Sequence, residues 1–427
     1  MCAVEGLNCL AVEVKDRLIM NIGYYTSIDG WGGSEMYLLA MIKSIRGAGH
    51  IPVLFGIEGT RLFNEARETG IQCVAWGKAK VSNKETSEGD PLIQENGESN
   101  QATGVEQGGL LKKCLRAMLP QGLALLLGNV RELLFLRRLF LQHPVDVMHV
   151  NINGYEIAGL ACRFCGIPTY GRHCIMPVRD DYYLRRWLIF WTNKYYTLTG
   201  GPSKACVEAW RRWCNFPAAQ CRPVWNGIDL GRFNKEVTRV RSSQDPFRIL
   251  AVGRLHPMKG FDILIRAFGI VADPRAHLII AGEGSSEEEL KRLAAEQSCA
   301  CSIEFAGHRE DTETLYAQAH CLVLPSVSHE SFGFVLAEAM ASGLPLITSD
   351  FGPFAEINRH EETGLVVPAG NPQPLADALR RLMNSPELCQ QMGANAKRRA
   401  EECFSRDRMV REMLKNYEEL KTCGKRV

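Results

Sequence analysis

The sequence predicts an α/β protein built from two doubly wound domains that face one another across a cleft. Three observations predict it. A chain of 427 residues is too long for one ordinary core. Short apolar runs alternate with helical patterns, which is the plan of parallel sheets covered by helices. That plan occurs twice, on either side of GIDLGRFNKEVTRVRSSQDP (227–246), a polar stretch without apolar periodicity that reads as a linker. The expected domains are 1–235 and 236–403.

In the first half the strand candidates are RLIMNIGYY (17–25), IPVLFG (51–56), IQCVAW (71–76), VDVMHVNI (145–152), IPTYGR (167–172) and YYTLTG (195–200). The second half offers FRILAVG (247–253), HLIIAG (277–282), SIEFAG (302–307), CLVLP (321–325) and LPLIT (344–348). Each is too short for a helix and nearly continuous in apolar residues, as strands buried on both faces are. A helical pattern follows most of them. In such sheets ligands sit at the carboxyl ends of the strands, so chemistry is sought in the loops after strands.

Composition excludes several classes. Hydrophobic residues make up 46% and charged residues 23%, the balance of a globular protein. Formal net charge is +2, so no nucleic-acid partner is expected. No run approaches the roughly 18 uninterrupted apolar residues of a spanning helix. Residues 1–16 lack a charged region followed by an apolar run, so no secretory leader is expected. The sixteen cysteines are scattered, consistent with a reduced, cytoplasmic compartment. Cys162 and Cys165 form a lone C-x-x-C, which buried thiols on a helix explain better than zinc, whose four ligands need tetrahedral placement.

Three segments interrupt the plan. Residues 77–109 are polar and nearly free of large apolar side chains, the composition of a surface insertion. Residues 110–140 carry Lys112, Lys113, Arg116, Arg131, Arg137 and Arg138 against Glu132 alone among acids, with Pro120 and Gly122 dividing two helical pieces. A basic, leucine-rich helix suits peripheral contact with an anionic membrane surface, and it equally suits a domain helix with its arginines in water. RDDYYLRRWLIFWTNKYY (179–196) mixes arginines with aromatics, either to meet an acceptor or to pack inward as core.

Chemistry concentrates in three loops. DGWGGSEMYLLAMI (29–42) follows the first strand; Gly32 and Gly33 admit close backbone approach, and a helix opening at about Glu35 would turn free N–H groups toward a phosphate. GRLHPMKGFDILIRAF (253–268) follows the first strand of the second half. Its Arg254 and Lys259 suit an anionic leaving group such as a diphosphate. HESFGFVLAEAMASGLPLITSD (329–350) sets Glu330 and Glu338 around a helix start, about 12 Å apart if both were helical. One carboxylate would bond sugar hydroxyls and the other a ribose diol, with the N–H groups near Ser331 to Val335 meeting phosphates between them. Singly, each glutamate also reads as a helix-dipole partner or an exposed helix charge.

Together these pieces resemble the GT-B retaining glycosyltransferases of family 4. The matching residues are GGSE (32–35), NGIDLGRF (226–233), GRL…KG (253–260), GEG (282–284), AGHRED (306–311), PSVSHESFG (325–333) and EAMASGLPLI (338–347). The resemblance implies two Rossmann-like domains, a nucleotide-sugar donor held by the second and a glycan or lipid-linked acceptor by the first. It implies that Arg254 and Lys259 stabilise the departing diphosphate without a metal or other cofactor. Glu330 would hold the sugar and Glu338 the ribose. Gly253, Phe332, Gly333, Phe334 and Val335 would line the donor, Gly33 would approach its phosphate, and Arg309 would border the base. His173 in YGRHCIM (170–176) stands where family members place a histidine near the sugar; Cys174 replaces the acid that commonly follows it, and a packed loop histidine is the other reading. In this architecture the last helix, here 404–427, crosses back to the first domain.

The implied activity is a hexosyl transfer with retention, in polysaccharide or glycoconjugate biosynthesis, by a cytoplasmic enzyme at the inner face of a membrane. Three rivals stand beside it. GEGSSE (282–287) imitates a dinucleotide fingerprint but lacks the third glycine and the acid at the next strand end. A non-catalytic nucleotide-binding or membrane-associated partner protein would bind diphosphate without turnover. A UDP-sugar epimerase on the same fold would convert a donor without any acceptor.

Overall fold

A computed structural model describes residues 19–30, 32–78, 121–152, 156–177, 190–233, 246–297, 299, 302–328 and 330–423. Two six-stranded sheets carry the chain. The first comprises β1 (Asn21–Tyr25), β2 (Ile51–Glu58), β3 (Gln72–Lys78), β4 (Val147–Ile152), β5 (Thr169–His173) and β6 (Leu198–Gly200). The second comprises β7 (Phe247–Val252), β8 (Ala276–Ala281), β9 (Ile303–Gly307), β10 (Cys321–Leu324), β11 (Leu346–Ser349) and β12 (Gly364–Val367).

The strand orders are β3-β2-β1-β4-β5-β6 and β9-β8-β7-β10-β11-β12, so the second sheet repeats the topology of the first. All pairings are parallel. The order reverses between β1 and β4 in one sheet and between β7 and β10 in the other. In open α/β sheets such points are where ligand crevices form, at the carboxyl ends of the strands.

Both faces of each sheet are covered, which is why the strands read as apolar runs. On one face of the first sheet, Ile22, Tyr24 and Leu54 pack with Leu38, Met41 and Ile42 of helix Gly33–Gly47. Met413, Tyr417 and Leu420 of the last helix, Arg406–Cys423, join the same core. Tyr25, Phe55, Met148 and Val150 fill the other face with Leu136 and Phe140 of helix Gln121–Gln142. The second sheet buries Ile249, Leu278 and Ile280 under helices Phe261–Val271 and Pro372–Asn384, and Leu250, Ile279 and Leu322 under helix Phe334–Ala341.

The chain crosses between the two units twice, side by side. Ile228 N–H donates to the Phe404 carbonyl at 2.8 Å, and Arg406 N–H donates back to the Ile228 carbonyl at 3.0 Å. Gly227 makes this approach possible: a Cβ there would lie 2.6 Å from the Ser405 carbonyl oxygen.

Several sequence readings shift. β12 was not among the strand candidates; GLVV is short and opens on Gly364, whose added Cβ would meet the Leu346 carbonyl at 2.1 Å. The first helix begins at Gly33 rather than near Glu35. The linker contains a short helix, Leu230–Phe233, that buries Phe233, while 234–245 lie outside the described residues. The 77–109 reading beyond Lys78, residues 110–120, and 178–189 also lie outside them.

Candidate functional site

Two loops meet at the switch point of the second sheet. The first leaves β7 through Gly253 (φ 156°), exposes Arg254, buries Leu255, and makes a short 3-10 turn at Pro257–Lys259. Gly260 then takes φ 66°, a left-handed conformation that costs a side-chain-bearing residue about 1–2 kcal/mol. The second loop leaves β10 at Pro325 and ends at Gly333. The two are pressed together, because a Cβ on Gly260 would sit 2.4 Å from the Pro325 carbonyl oxygen, and Val327 N–H donates to the Met258 carbonyl at 2.8 Å.

This packing brings Lys259 to Glu330. The Lys259 Nζ donates to Glu330 Oε2 in an ion pair whose side chains are 21% and 18% exposed. A cation half out of water, with its carboxylate partner facing the same crevice, can bind an anion through the first and hydroxyls through the second.

Helix Phe334–Ala341 starts beside this pair. Gly333 precedes it at φ 87° and no side chain caps its first turn, so its leading N–H groups are available at the crevice. Glu330 therefore lies in the loop, outside the helix, and the 12 Å estimate for two helical glutamates does not apply. Phe332 is buried, while Phe334 and Val335 are half-buried. Glu338, on the second turn, accepts a hydrogen bond from the Tyr316 hydroxyl at 2.8 Å. Burial pushes its carboxyl pKa up, against the opposing pull of Tyr316 and the Arg232 charge. Arg309 stands exposed after β9 and grips Asp311 through Nε and Nη2, each at 2.7 Å.

The first half closes over these loops. Gly33 opens its helix with Gly32 as an uncapped N-cap, and a Cβ on Gly33 would lie 3.2 Å from the Phe334 ring. Ser331 bridges both ways: its carbonyl accepts from Ser203 Oγ at 2.8 Å, and its hydroxyl donates to the Cys174 carbonyl at 2.7 Å. Glu356 reaches across to the N-terminus of helix Lys204–Cys214. There its carboxylate accepts from the Lys204 N–H at 2.9 Å, the Ala205 N–H, and Trp225 Nε1 at 3.3 Å.

His173 ends β5, one residue before Cys174. Its ring is 1% exposed, stacks on Trp210 at 4.2 Å between centroids, and shares a 2.9 Å hydrogen bond between Nε2 and Thr199 Oγ1. Burial lowers its pKa to about 3, so the ring is neutral at ordinary pH. Its Nδ1 has no partner among the described residues. The structure thus sets His173 next to the strand end that meets Ser331, but packs the ring inside.

The sequence reading missed Ser203, Tyr316 and Glu356. Ser203 was findable as an N-cap, since its side chain accepts from Cys206 N–H at 3.1 Å in the pattern expected of serine before a helix. Nothing local marks Tyr316 or Glu356. Among the described residues no group of three or more His, Cys, Asp or Glu side chains is placed to hold a metal ion.

Residues 233–399 match the family model described as glycosyl transferases group 1. The chain is 33% identical over 215 residues to an uncharacterised glycosyltransferase of Methanocaldococcus jannaschii, covering 48% of this chain and 55% of that one. It is 34% identical over 185 residues to a glycogen synthase of Mycobacterium tuberculosis, covering 42% and 44%. The chain thus spans about half the length of the curated relatives it matches.

Among solved structures, Anabaena HepE in complex with UDP superposes with TM-score 0.72 at 17% identity, covering 94% of this chain and all of that one. The sucrose-phosphate synthase of Thermosynechococcus elongatus does so with TM-score 0.67 at 20% identity, covering 95% and 100%. At those identities the likeness concerns the fold. The chain has the GT-B fold, and the half that holds the Lys259–Glu330 crevice matches the group 1 glycosyltransferase family model.

Proposed function

We propose that this protein is a retaining, metal-independent family 4 glycosyltransferase that moves a hexose from a nucleotide diphosphate sugar to a glycan or lipid-linked acceptor. The observation that carries the reading is the Lys259–Glu330 pair, held at the switch point of the second sheet beside an uncapped helix start. Breaking a sugar–phosphate bond builds negative charge on the departing diphosphate. Lys259, Arg254 and the N–H groups at Phe334 and Val335 are the groups that would stabilise it, with no reorganisation at the moment of reaction. Glu330 would bond the sugar and Glu338 the ribose. Gly253 would let the phosphate-facing loop turn, and Gly33 would bring the first domain's helix terminus to the same anion. Arg309 would lie beside the base once released from Asp311.

The domains divide at about residue 235, with 404–427 returning to the first; the separate cores on the two sheets support that division. The contacts of Ser331 and Glu356 across the cleft support a closed arrangement that excludes water from the donor. His173 acts in this reading as a neutral wall of the cleft behind the sugar. The solved HepE structures contain UDP, UDP with glucose, and UDP-glucose, which makes a uridine donor the first to test.

Helix Gln121–Gln142 supports a membrane-side acceptor. It exposes Val130, Leu134, Phe135 and Leu141 together with Arg131, Arg137 and Arg138, while Glu132 is half-buried. That surface suits an anionic bilayer. No helix among the described residues is long and apolar enough to cross one.

The test is incubation with UDP-, GDP-, ADP- and dTDP-hexoses and extracted acceptors, with the anomeric configuration of the product read by NMR. Transfer with retention in EDTA is the expected result. Inversion or a metal requirement would overturn the mechanism. Donor conversion without an acceptor would favour the epimerase.

A further inference from the structure

The geometry points to Glu156 as a positioning residue for the donor site, acting through Ser27 to fix the loop that carries Gly32 and Gly33. This rests on the donor-site reading above. Ser27 lies just past the end of β1 and Glu156 just past the end of β4, the central pair at which the order of the first sheet reverses. The Ser27 hydroxyl donates to Glu156 Oε1, tying the two loops across that crevice. Thr26 is held just before it, by its own N–H to the Phe55 carbonyl and by Trp76 Nε1 to its carbonyl, each at 3.1 Å. Past Ser27 the chain is exposed at Asp29 and Gly30 and then reaches Gly33, which meets Phe334 of the second half. The Ser27–Glu156 bond therefore stands between the anchored root of the loop and its working end.

Glu156 is an unusual choice for a purely structural tie. It is 4% exposed, and the groups that face it are Glu132 from helix Gln121–Gln142, Tyr25 from β1 and Tyr196 before β6. Burial and the Glu132 charge push its pKa up to about 8, against the pull of the Ser27 hydrogen bond. The carboxyl is thus neutral at pH 7. Above about pH 8 it becomes an anion, to which the Ser27 hydroxyl bonds more strongly than to the neutral acid. The tie is therefore weaker on the acid side of about pH 8 and tightens on the alkaline side, and the loop geometry goes with it.

The experiment uses the full chain. The dissociation constant of UDP is measured by calorimetry from pH 6.5 to 9.5 for the native protein, Glu156→Gln and Ser27→Ala. Deuterium exchange of peptides covering 26–36 is followed in parallel and corrected for intrinsic rates. In the native protein UDP affinity should rise on the order of tenfold across that range, with loop exchange falling in step. Glu156→Gln, which cannot ionise, should show neither change. Ser27→Ala should exchange rapidly and bind weakly at every pH. An alkaline limb unchanged in Glu156→Gln overturns the assignment, and so does Ser27→Ala with native loop exchange. If UDP binds to no form while loop exchange still follows Glu156, the positioning role stands and the donor reading fails.

Discussion

Replacing Gly260 with alanine tests whether the two loops of the donor crevice are as closely pressed as the structure has them. Gly260 sits at φ 66° and an added Cβ would lie 2.4 Å from the Pro325 carbonyl oxygen, a backbone atom that cannot rotate away. The left-handed conformation alone costs alanine about 1–2 kcal/mol. Relieving the contact by moving one loop costs about 1–3 kcal/mol more, the range for overpacked sites. Gly370 supplies the control: it has φ 77° with nothing within 4 Å of an added Cβ, so its alanine variant bears only the conformational cost. For a unit of this size the difference predicts a Tm drop on the order of 10 °C for Gly260→Ala against about 4 °C for Gly370→Ala. Calorimetry or circular dichroism is the assay, because no tryptophan follows Trp225 to report on the second half. Separating the loops also separates Lys259 from Glu330, so Gly260→Ala should weaken UDP binding and Gly370→Ala should not. Equal Tm losses for the two variants would refute the close packing.

Other perturbations read different parts of the account. Lys259→Ala and Glu330→Ala should each abolish transfer while leaving circular dichroism native; near-normal turnover in either removes that residue from the site. His173 has its pKa lowered to about 3 from 6.5, so its contribution to stability is full above pH 6.5 and is lost as pH falls toward 3. Urea unfolding of the native protein against His173→Gln should show the slope below pH 6.5 reduced by about 1.4 kcal/mol per pH unit, and an unchanged slope would mean the ring is solvated. Reversing Arg137 and Arg138 to glutamate should lower binding to phosphatidylglycerol vesicles by at least roughly thirty-fold, at about 1 kcal/mol per lost cation. The two proteins should sediment alike with neutral phosphatidylcholine vesicles, and no change on anionic ones would separate the helix from any membrane role.

Much of the fold was legible because parallel strands buried on both faces leave an unbroken signature. β4 is buried at every position, and VMHVNI reads as a strand without help from its neighbours. β12 lacked that signature because it is four residues long and begins with a glycine required by the adjacent strand. The site was legible in pieces. Arg254, Lys259 and Glu330 could be placed on loops after strands, but the meeting of Lys259 with Glu330 depends on Gly260 packing against Pro325, which no local pattern encodes. Glu338 read as a free carboxylate, whereas Tyr316 from another helix already occupies one of its oxygens. His173 shows the same gap from the other side: its position at a strand end was readable, and its burial against Trp210 was set by a helix more than thirty residues on. Glu356 left no trace in sequence, since it acts on the start of a helix in the other half of the molecule.

The central claim is that the loops after β7 and β10 form a diphosphate site, and thermal unfolding with nucleotides tests it most directly. The native protein and Lys259→Ala are heated in EDTA with UDP, GDP, ADP and dTDP in turn. One nucleotide at 100 times its dissociation constant should stabilise the native protein by about 2.7 kcal/mol, and that gain should vanish in Lys259→Ala. No shift with any nucleotide, or a shift that survives the loss of Lys259, would contradict the account.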